Sequence, residues 1–205
     1  MLIVGAKGHA TEVLDILKEK YDLDRLFFFD NMKNHDVGNF FGFPIIDNYE
    51  KVANLFLSDK RFYLALGGTL RRKCLVLKMN SLGGELCSII SKRSYTSCNS
   101  KIGKGVNIMS FSSVYGDAVV GEGVLLNSYA SIHHGSNVGI YTEISPGARI
   151  LGNCKIGKSC SIGTNATILP NISITDNTIV GAGSVITKNI EIAGTYVGVP
   201  AKRIK

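Results

Sequence analysis

The 205-residue chain contains no tryptophan, four prolines, four histidines and five cysteines. No apolar run approaches the roughly 18 residues of a membrane-spanning helix, so we expect no membrane span. Residues 1–10 carry neither a basic leader nor a long hydrophobic segment, which predicts that there is no signal peptide. The cysteines lack CxxC or any other metal-ligand spacing. We therefore expect reduced thiols in a cytoplasmic protein without a metal site.

Charge of one sign is not concentrated anywhere in the sequence. The formal net charge is +7; residues 101–205 hold 9 Lys and Arg against 5 Asp and Glu, and residues 1–100 hold 14 against 11. A nucleic-acid-binding face combines a concentrated basic patch with interleaved aromatic residues, so we expect no nucleic-acid partner. A mild positive field favours a small polyphosphate ligand, although a solvated surface with extra lysines explains the same excess.

The first half of the chain alternates strand-like and helix-like runs, which predicts a small parallel sheet with crossover helices. The apolar residues of 11–20 recur with helical spacing, and 69–80 is the second predicted helix. A proline in the third strand-like run of this half argues for a sheet edge there. The predicted strands are residues 2–4, 26–30, 41–47, 63–68 and 86–90, of which 41–47 is the expected edge strand.

The loop "GAKGHA" (5–10) follows the first predicted strand and leads into a helix. It has the spacing G-x-x-G and not the G-x-G-x-x-G of dinucleotide domains, so NAD is a poor candidate ligand. A glycine-rich turn at a helix N-terminus can still bind an anion. Asp30 ends the second strand, where Rossmann-type domains contact a ribose. The alternative is a domain that only packs against the rest of the chain.

The second half has a period of six residues, which suits neither a helix nor a plain strand. Such a period predicts a solenoid of short strands in which three hexapeptides make one triangular coil. Small residues four places after the aliphatic one let the chain turn a corner, as at Ala118, Ala130 and Ala148. The fifteen aliphatic positions are Ile102, Ile108, Val114, Val120, Leu126, Ile132, Val138, Ile144, Ile150, Ile156, Ile162, Ile168, Ile174, Val180 and Ile186.

Five motifs carry a family resemblance over nearly the whole chain: "IVGAKGHATEVLDIL", "FFD", "LALGG" followed by "RRK", the hexads, and the ending "VGVPAKRIK". They resemble the left-handed β-helix sugar acyltransferases, including UDP-4-amino-sugar N-acetyltransferases and sialic acid O-acetyltransferases. The resemblance implies a Rossmann-like α/β domain over residues 1–94. It also implies a left-handed parallel β-helix with a C-terminal cap over residues 95–205, and a homotrimer.

The resemblance also implies site residues. The family's catalytic base falls on His134, in "NSYASIHHGSNVG" (127–139). Acetyl-CoA lies between neighbouring prisms in this family, and its contacts fall on Glu143, Thr164 and Ala182. The nucleotide-sugar contacts fall on Lys7, Gly8, His9, Asp30, Asn31 and Gly67.

The residues around His134 support part of this assignment. Gly116 and Gly152 lie one coil away on either side, which predicts open space around the imidazole and adds Gly152 to the expected acetyl-CoA groove. A histidine with a pKa near 6.5 is suited to accept a proton from an attacking amine or hydroxyl. A surface histidine on a solvated rung is the alternative. His133 should face the other way along the strand and serve packing or an interface.

Two positions depart from the family pattern. The catalytic histidine is usually followed by an acidic residue, but Gly135 follows here. Asp117 lies one coil from Gly135, so its carboxylate is a candidate replacement that would tune the base. Glu143 stands where several relatives have a donor that faces the thioester, and a carboxylate cannot donate unless it is protonated. We expect it to orient the imidazole instead.

The sequence thus predicts an acetyl-CoA-dependent N-acetyltransferase that acts on a UDP-linked amino sugar in surface glycan biosynthesis. Transfer would be direct, with a histidine base and no covalent enzyme intermediate. Two alternatives stay open: a sugar O-acetyltransferase of the same fold, and a non-catalytic trimeric scaffold.

Overall fold

The computed structural model describes residues 1–21, 23–32 and 38–205. Its first part is a sheet of six strands in the order β3-β4-β2-β1-β5-β6, in which β3 and β4 are antiparallel and the other pairs parallel. The elements are β1 (Leu2–Val4), α1 (Gly8–Lys18), β2 (Phe27–Phe29), β3 (Asn39–Phe40), β4 (Phe43–Ile46), α2 (Tyr49–Phe56), β5 (Arg61–Leu64), α3 (Thr69–Ser81) and β6 (Glu85–Leu86).

The helices of this α/β domain form for local reasons that the sequence displays. The aliphatic side of α1 is buried against the sheet, as its periodicity predicts. Asn48 caps α2, because its side chain accepts the backbone N–H of Lys51 at 2.9 Å.

The prediction that residues 41–47 form the sheet edge is wrong. The short strand β3 covers β4, with Asn39 opposite Pro44, and is itself the edge.

The second part is a prism of short parallel strands. The first twelve are β7 (Ile89–Ile90), β8 (Tyr95–Thr96), β9 (Lys101–Ile102), β10 (Asn107–Ile108), β11 (Ser113–Val114), β12 (Val119–Val120), β13 (Leu125–Leu126), β14 (Ser131–Ile132), β15 (Asn137–Val138), β16 (Glu143–Ile144), β17 (Arg149–Ile150) and β18 (Lys155–Ile156). The remainder are β19 (Ser161–Ile162), β20 (Thr167–Ile168), β21 (Ser173–Ile174), β22 (Ile179–Val180), β23 (Val185–Ile186), β24 (Thr195–Gly198) and β25 (Ala201–Arg203).

These strands form three flat faces. Face A contains β7, β10, β13, β16, β19 and β22, extended by β24 and β25; face B contains β8, β11, β14, β17, β20 and β23; face C contains β9, β12, β15, β18 and β21. Within β7 to β23, each strand pairs with the strand one coil further along the chain, as Asn107 of β10 pairs with Leu125 of β13. The predicted left-handed β-helix, in which three strands make one coil, is confirmed.

The aliphatic residue of each hexad points into the prism. The stack is buried from Ile108 to Ile186 and, together with the small residues at the corners, forms one continuous apolar core. The chain turns at the corners through residues with left-handed backbone angles, for which asparagine is well suited, such as Asn153, Asn165 and Asn177. Each coil therefore buries its core only against its neighbours.

The prism starts earlier than the periodicity suggests. Residues 86–90 were expected to form one strand of the first sheet, but Leu86 pairs with Phe62 in that sheet whereas Ile89 pairs with Asn107 on face A. The first rung thus precedes residue 95, and the boundary between residues 94 and 95 stays a prediction. At the other end, β24 pairs with β22 and forms an antiparallel hairpin with β25.

The α/β domain packs on face A. Ile89, Met109 and Leu125 of the prism share one apolar cluster with α1 and the sheet, and Tyr141 joins a second cluster with α2 and α3. This docking decides which side of the prism meets the carboxyl ends of the sheet strands.

Over the described ranges, no helix combines the length and apolar character that crossing a membrane requires.

Candidate functional site

A pocket of about 440 Å³ opens at the carboxyl ends of β1, β2 and β5. Its apolar walls include Val4, Phe29 and Leu75. Five of the six residues predicted to contact a nucleotide-sugar line it: Lys7, His9, Asp30, Asn31 and Gly67. The sixth, Gly8, is the first residue of α1, between Lys7 and His9. The structure therefore brings this predicted set together in one place.

The turn from β1 into α1 crosses closely over the end of β5. Gly5 has a φ of +112°, and a Cβ there would lie 2.7 Å from the carbonyl oxygen of Ala65. Glycine is needed at this position for both reasons. The turn brings the N-terminus of α1 to the pocket, where its unpaired amides and helix dipole favour an anion.

Two cations and one carboxylate give the pocket its polar character. Lys7 Nζ lies 3.8 Å and an Arg71 guanidinium nitrogen 3.4 Å from the sulfur of Met32, so both cations approach the same spot. Asp30 is 8% exposed and accepts the backbone N–H of Met32 at 3.0 Å. Paired cations beside a fixed carboxylate suit a diphosphate joined to a group with hydroxyl donors. Sequence reasoning did not find Arg71.

His9 also lines this pocket. Its Nδ1 lies 3.3 Å from a carboxylate oxygen of Glu12, which fixes the proton on Nδ1 in the neutral ring. The other nitrogen, Nε2, is buried and has no hydrogen-bond partner among the residues that the structure describes. Burial lowers the pKa of His9, an effect that Glu12 opposes. A neutral ring with an acceptor at Nε2 is the favoured form.

His134 lies at the edge where face B turns into face C. Its side chain is exposed, and its ring rests on Gly152: a Cβ on Gly152 would lie 2.6 Å from Cε1 and 2.8 Å from Nε2 of the ring. Gly116, one coil before, abuts the Cβ of His134. The prediction was that Gly152 leaves open space around the imidazole. In the structure, the imidazole ring itself occupies the space over Gly152.

Asp117 lies beside His134, as the coil register predicts. Its Oδ1 accepts the backbone N–H of Gly135 at 2.7 Å. This hydrogen bond lowers the pKa of Asp117, and His134 contributes in the same direction. A negative charge is thus held next to the imidazole. Its tuning of a base stays a prediction.

His133 packs on the flat of face B. Its ring centroid lies 5.0 Å from that of Tyr115, and its Nε2 lies 3.4 Å from the hydroxyl of Ser131. Burial lowers the pKa of His133. These contacts suit the predicted packing role.

The four residues predicted for acetyl-CoA do not form one groove within a single chain. Gly152 lies under His134 at the edge between faces B and C. Thr164 and Ala182 are exposed and lie one coil apart at the edge between faces A and B. Glu143 lies on face A at the domain junction, where its Oε2 accepts the backbone N–H of Gly68 at 2.7 Å. No contact joins Glu143 to His134 among the described residues, so the expected orienting role finds no support within one chain.

Sequence reasoning also missed Arg72, which is fully buried between the two domains. Its guanidinium donates to the carbonyl oxygens of Leu66 at 2.9 Å and Gly123 at 3.1 Å. Burial lowers the pKa of Arg72 to about 10, and the nearby Glu143 charge opposes that effect. The basic run 71–73 gives no sign of which member is buried.

A shallow groove of about 850 Å³ runs along face C from the His134 edge. It begins at Asp117 and Gly135 and carries Lys155 and Lys158.

Within the described ranges, no group of three His, Cys, Asp or Glu residues could hold a metal ion.

Two family models match the chain in the order that the structure shows. The PglD N-terminal domain matches residues 1–79, and the bacterial transferase hexapeptide (six repeats) matches residues 99–134 and 153–188. The chain therefore combines a PglD N-terminal domain with the hexapeptide repeats of bacterial transferases, on a left-handed β-helix. The family resemblance and the acyltransferase class predicted from the sequence are confirmed.

Solved structures share the whole architecture. The acetyltransferase domain of PglB from Neisseria gonorrhoeae FA1090 is 28% identical, with a TM-score of 0.89 over 99% of this chain and 98% of that one, and it is also solved in complex with acetyl coenzyme A. PerB from Caulobacter crescentus, solved with CoA and GDP-perosamine, is 24% identical, with a TM-score of 0.90 over 100% of this chain and 96% of that one. WeeI from Acinetobacter baumannii AYE is 24% identical, with a TM-score of 0.92 over 99% and 98%. No curated protein matches the chain.

Replacing Gly152 by alanine should displace the His134 ring. The added Cβ would stand 2.6 Å from Cε1, closer than real contacts allow, so the imidazole must move while the rung stays intact. The Cε1–H signal of His134 in a proton–carbon NMR spectrum, assigned with His134→Gln, should shift. Gly38→Ala is the control, because a Cβ there would meet nothing within 4 Å. An unchanged His134 signal in the Gly152 variant would contradict the ring position.

Proposed function

We propose that the protein is an acetyl-CoA-dependent N-acetyltransferase that acts on the amino group of a nucleotide-linked sugar. One observation carries the proposal: a single chain combines a pocket suited to a nucleoside diphosphate with an exposed histidine on a hexapeptide prism. The likeness to the PglB acetyltransferase domain, solved with acetyl coenzyme A, supports the acyl donor. That PerB binds GDP-perosamine supports a nucleotide-linked sugar as acceptor.

The pocket assigns a role to each part of such an acceptor. Lys7, Arg71 and the N-terminus of α1 would hold the diphosphate. Asp30 would accept hydrogen bonds from the ribose or the base. The sugar would then extend past Gly67 toward the prism. Among the described residues, no contact of this arrangement distinguishes one nucleobase from another, so the UDP carrier stays a prediction.

The chemistry requires one base and one oxyanion donor. The amine nitrogen attacks the thioester carbonyl, a C–N bond forms and the C–S bond breaks. His134 takes the amine proton and returns it to the departing CoA thiolate. The backbone N–H of Gly152 donates to no acceptor among the described residues, which makes it a candidate to stabilise the oxyanion. No covalent enzyme intermediate is needed.

A completed site requires a second chain. The acceptor pocket opens at face A, whereas His134 lies at the edge between faces B and C, which is opposite face A in a triangular prism. A neighbouring prism would bring its His134 to this pocket. The exposed aromatic residues of face B and the adjoining edge support such a neighbour; they are Tyr95, Phe111, Tyr115 and Tyr129, all at least 40% exposed.

Acetyl-CoA would lie where the two prisms meet, as the resemblance implies. The face C groove begins beside His134 and offers Lys155 and Lys158 to the phosphates of the coenzyme. Thr164 and Ala182, at a different edge, would belong to the wall that a neighbour supplies. The trimer, the cytoplasmic location and the role in surface glycan biosynthesis stay predictions.

Release of CoA thiol should depend on an amino sugar linked to a nucleotide. A panel of UDP- and GDP-linked sugars with a free amine or a hydroxyl at the same position tests this. We expect turnover with an amine, and we expect Asp30→Ala to raise the KM of that acceptor about 10- to 100-fold through the loss of a charge-assisted bond. Turnover only with hydroxyl sugars would favour O-acetylation. Absence of turnover with every sugar would favour the scaffold alternative.

His134→Ala should lower kcat by about 10²- to 10⁴-fold, which is the usual contribution of a positioned base. The affinity for acetyl-CoA, measured by calorimetry, should change little. His133→Ala is the control and should retain most activity, because that ring packs on Tyr115. Retained activity in His134→Ala together with its loss in His133→Ala would show that the base is misassigned.

The protein should sediment as a trimer with three times the 22.1 kDa mass of one chain. The reason is that one chain cannot bring its acceptor pocket to its own His134. Sedimentation equilibrium at micromolar concentration measures the mass. A functional monomer would disprove the shared site. Mixing His134→Ala with Asp30→Ala chains should give more activity at low acceptor concentration than either variant alone, since each substitution lies in a different half of the site.

A further inference from the structure

The segment that joins β5 to α3 forms one wall of the nucleotide pocket, through Ala65, Leu66 and Gly67. Side chains that belong to the prism hold this segment. Glu143 Oε2 accepts the N–H of Gly68 at 2.7 Å, and its Oε1 lies so near Gly67 that a Cβ there would stand 3.0 Å away. The Glu143 carboxylate therefore braces two successive glycines.

Two further contacts fix the start of the same segment. Asn107 Nδ2 donates to the carbonyl oxygen of Leu64 at 2.7 Å. Arg72 donates to the carbonyl oxygen of Leu66 and, across the junction, to that of Gly123. Glu143 is the nearby carboxylate whose charge favours the buried Arg72 cation. The pocket wall is thus attached to face A at both ends.

We propose that Glu143 is a positioning residue for the acceptor, because it holds residues 65–68 in the conformation that binds the nucleotide-sugar. This differs from the acetyl-CoA contact that the family resemblance implies for this position. The inference rests on the proposed function in one respect, that the pocket binds a nucleotide-sugar.

The backbone of this segment needs an external support. Gly68 has a φ of +92° and precedes the first residue of α3 without a side-chain cap of its own. The Glu143 carboxylate accepts the N–H of Gly68 itself, from the prism and far away in sequence, which is the bond that an acidic third residue of the helix makes in a capping box. Without it, the Gly68 N–H would turn to water and Gly67 would lose the group against which it packs.

The test compares Glu143→Ala with Glu143→Gln. Glutamine keeps a carbonyl oxygen that can accept the Gly68 N–H, whereas alanine removes it. Glu50→Gln is the matched control, since Glu50 is an exposed carboxylate on α2. Amide exchange of the peptide that contains residues 65–70, without ligand, reports on the segment itself. Calorimetry with UDP and GDP reports on the pocket, and steady-state kinetics separates the two KM values.

In Glu143→Ala we expect faster exchange of the 65–70 peptide and a rise of about tenfold or more in the nucleotide Kd and in the acceptor KM. The KM of acetyl-CoA should stay within about twofold, and Glu143→Gln should restore most of the exchange protection and affinity. Thermal denaturation confirms that each variant is folded. If the alanine variant does not fold, the glutamine variant decides by its exchange protection.

Unchanged exchange in folded Glu143→Ala would overturn the inference, as would a rise confined to the KM of acetyl-CoA. If the parent protein binds neither UDP nor GDP, the pocket assignment of the proposed function fails. The exchange measurement still decides whether Glu143 holds the segment.

Discussion

The stack of aliphatic side chains inside the prism is the constraint on which the other features depend. Each hexad contributes one buried residue, and each coil buries its core only against the next. Because strand pairing advances by one full coil at a time, every outward position recurs in a column along the prism. His134, Gly116 and Gly152 share such a column. The environment of the candidate base is therefore set by residues that are remote in sequence and adjacent in register.

The same register explains how far the sequence could predict the fold. The aliphatic residues from Ile102 to Ile186 each marked one rung of the prism, so the rungs of this range could be located from the sequence. The prediction failed at the start of the prism, since Thr96 occupies an inward register position where the pattern expects an aliphatic residue. Without that signal, Ile89 and Ile90 read as the last strand of the first sheet. A local strand pattern does not reveal which sheet the strand joins.

The candidate site likewise contains residues that the sequence could predict and residues that it could not. The residues predicted to contact a nucleotide-sugar lie on a loop and at strand ends whose order is visible in the sequence, and five of the six line one pocket. Arg72 and Glu143 could not be placed in this way. Their positions depend on how the α/β domain docks on face A, which is a matter of matching apolar surfaces. A basic run on a helix looks the same whether one member is buried or all are solvated.

No acidic residue follows His134 in the sequence, but the stacking of the coils places the carboxylate of Asp117 beside it. A carboxylate at position 135 would directly follow the candidate base in the chain, whereas here Asp117 reaches the Gly135 amide from the preceding coil. The amide donates to the carboxylate and keeps it ionised, so the negative charge beside the imidazole is held by the rung and not by the adjacent residue. Stacked coils can thus supply a charge through register where the local sequence lacks it. The domain junction shows a similar arrangement, because Glu143 of the prism accepts the N–H of Gly68, next to the pocket wall of the other domain.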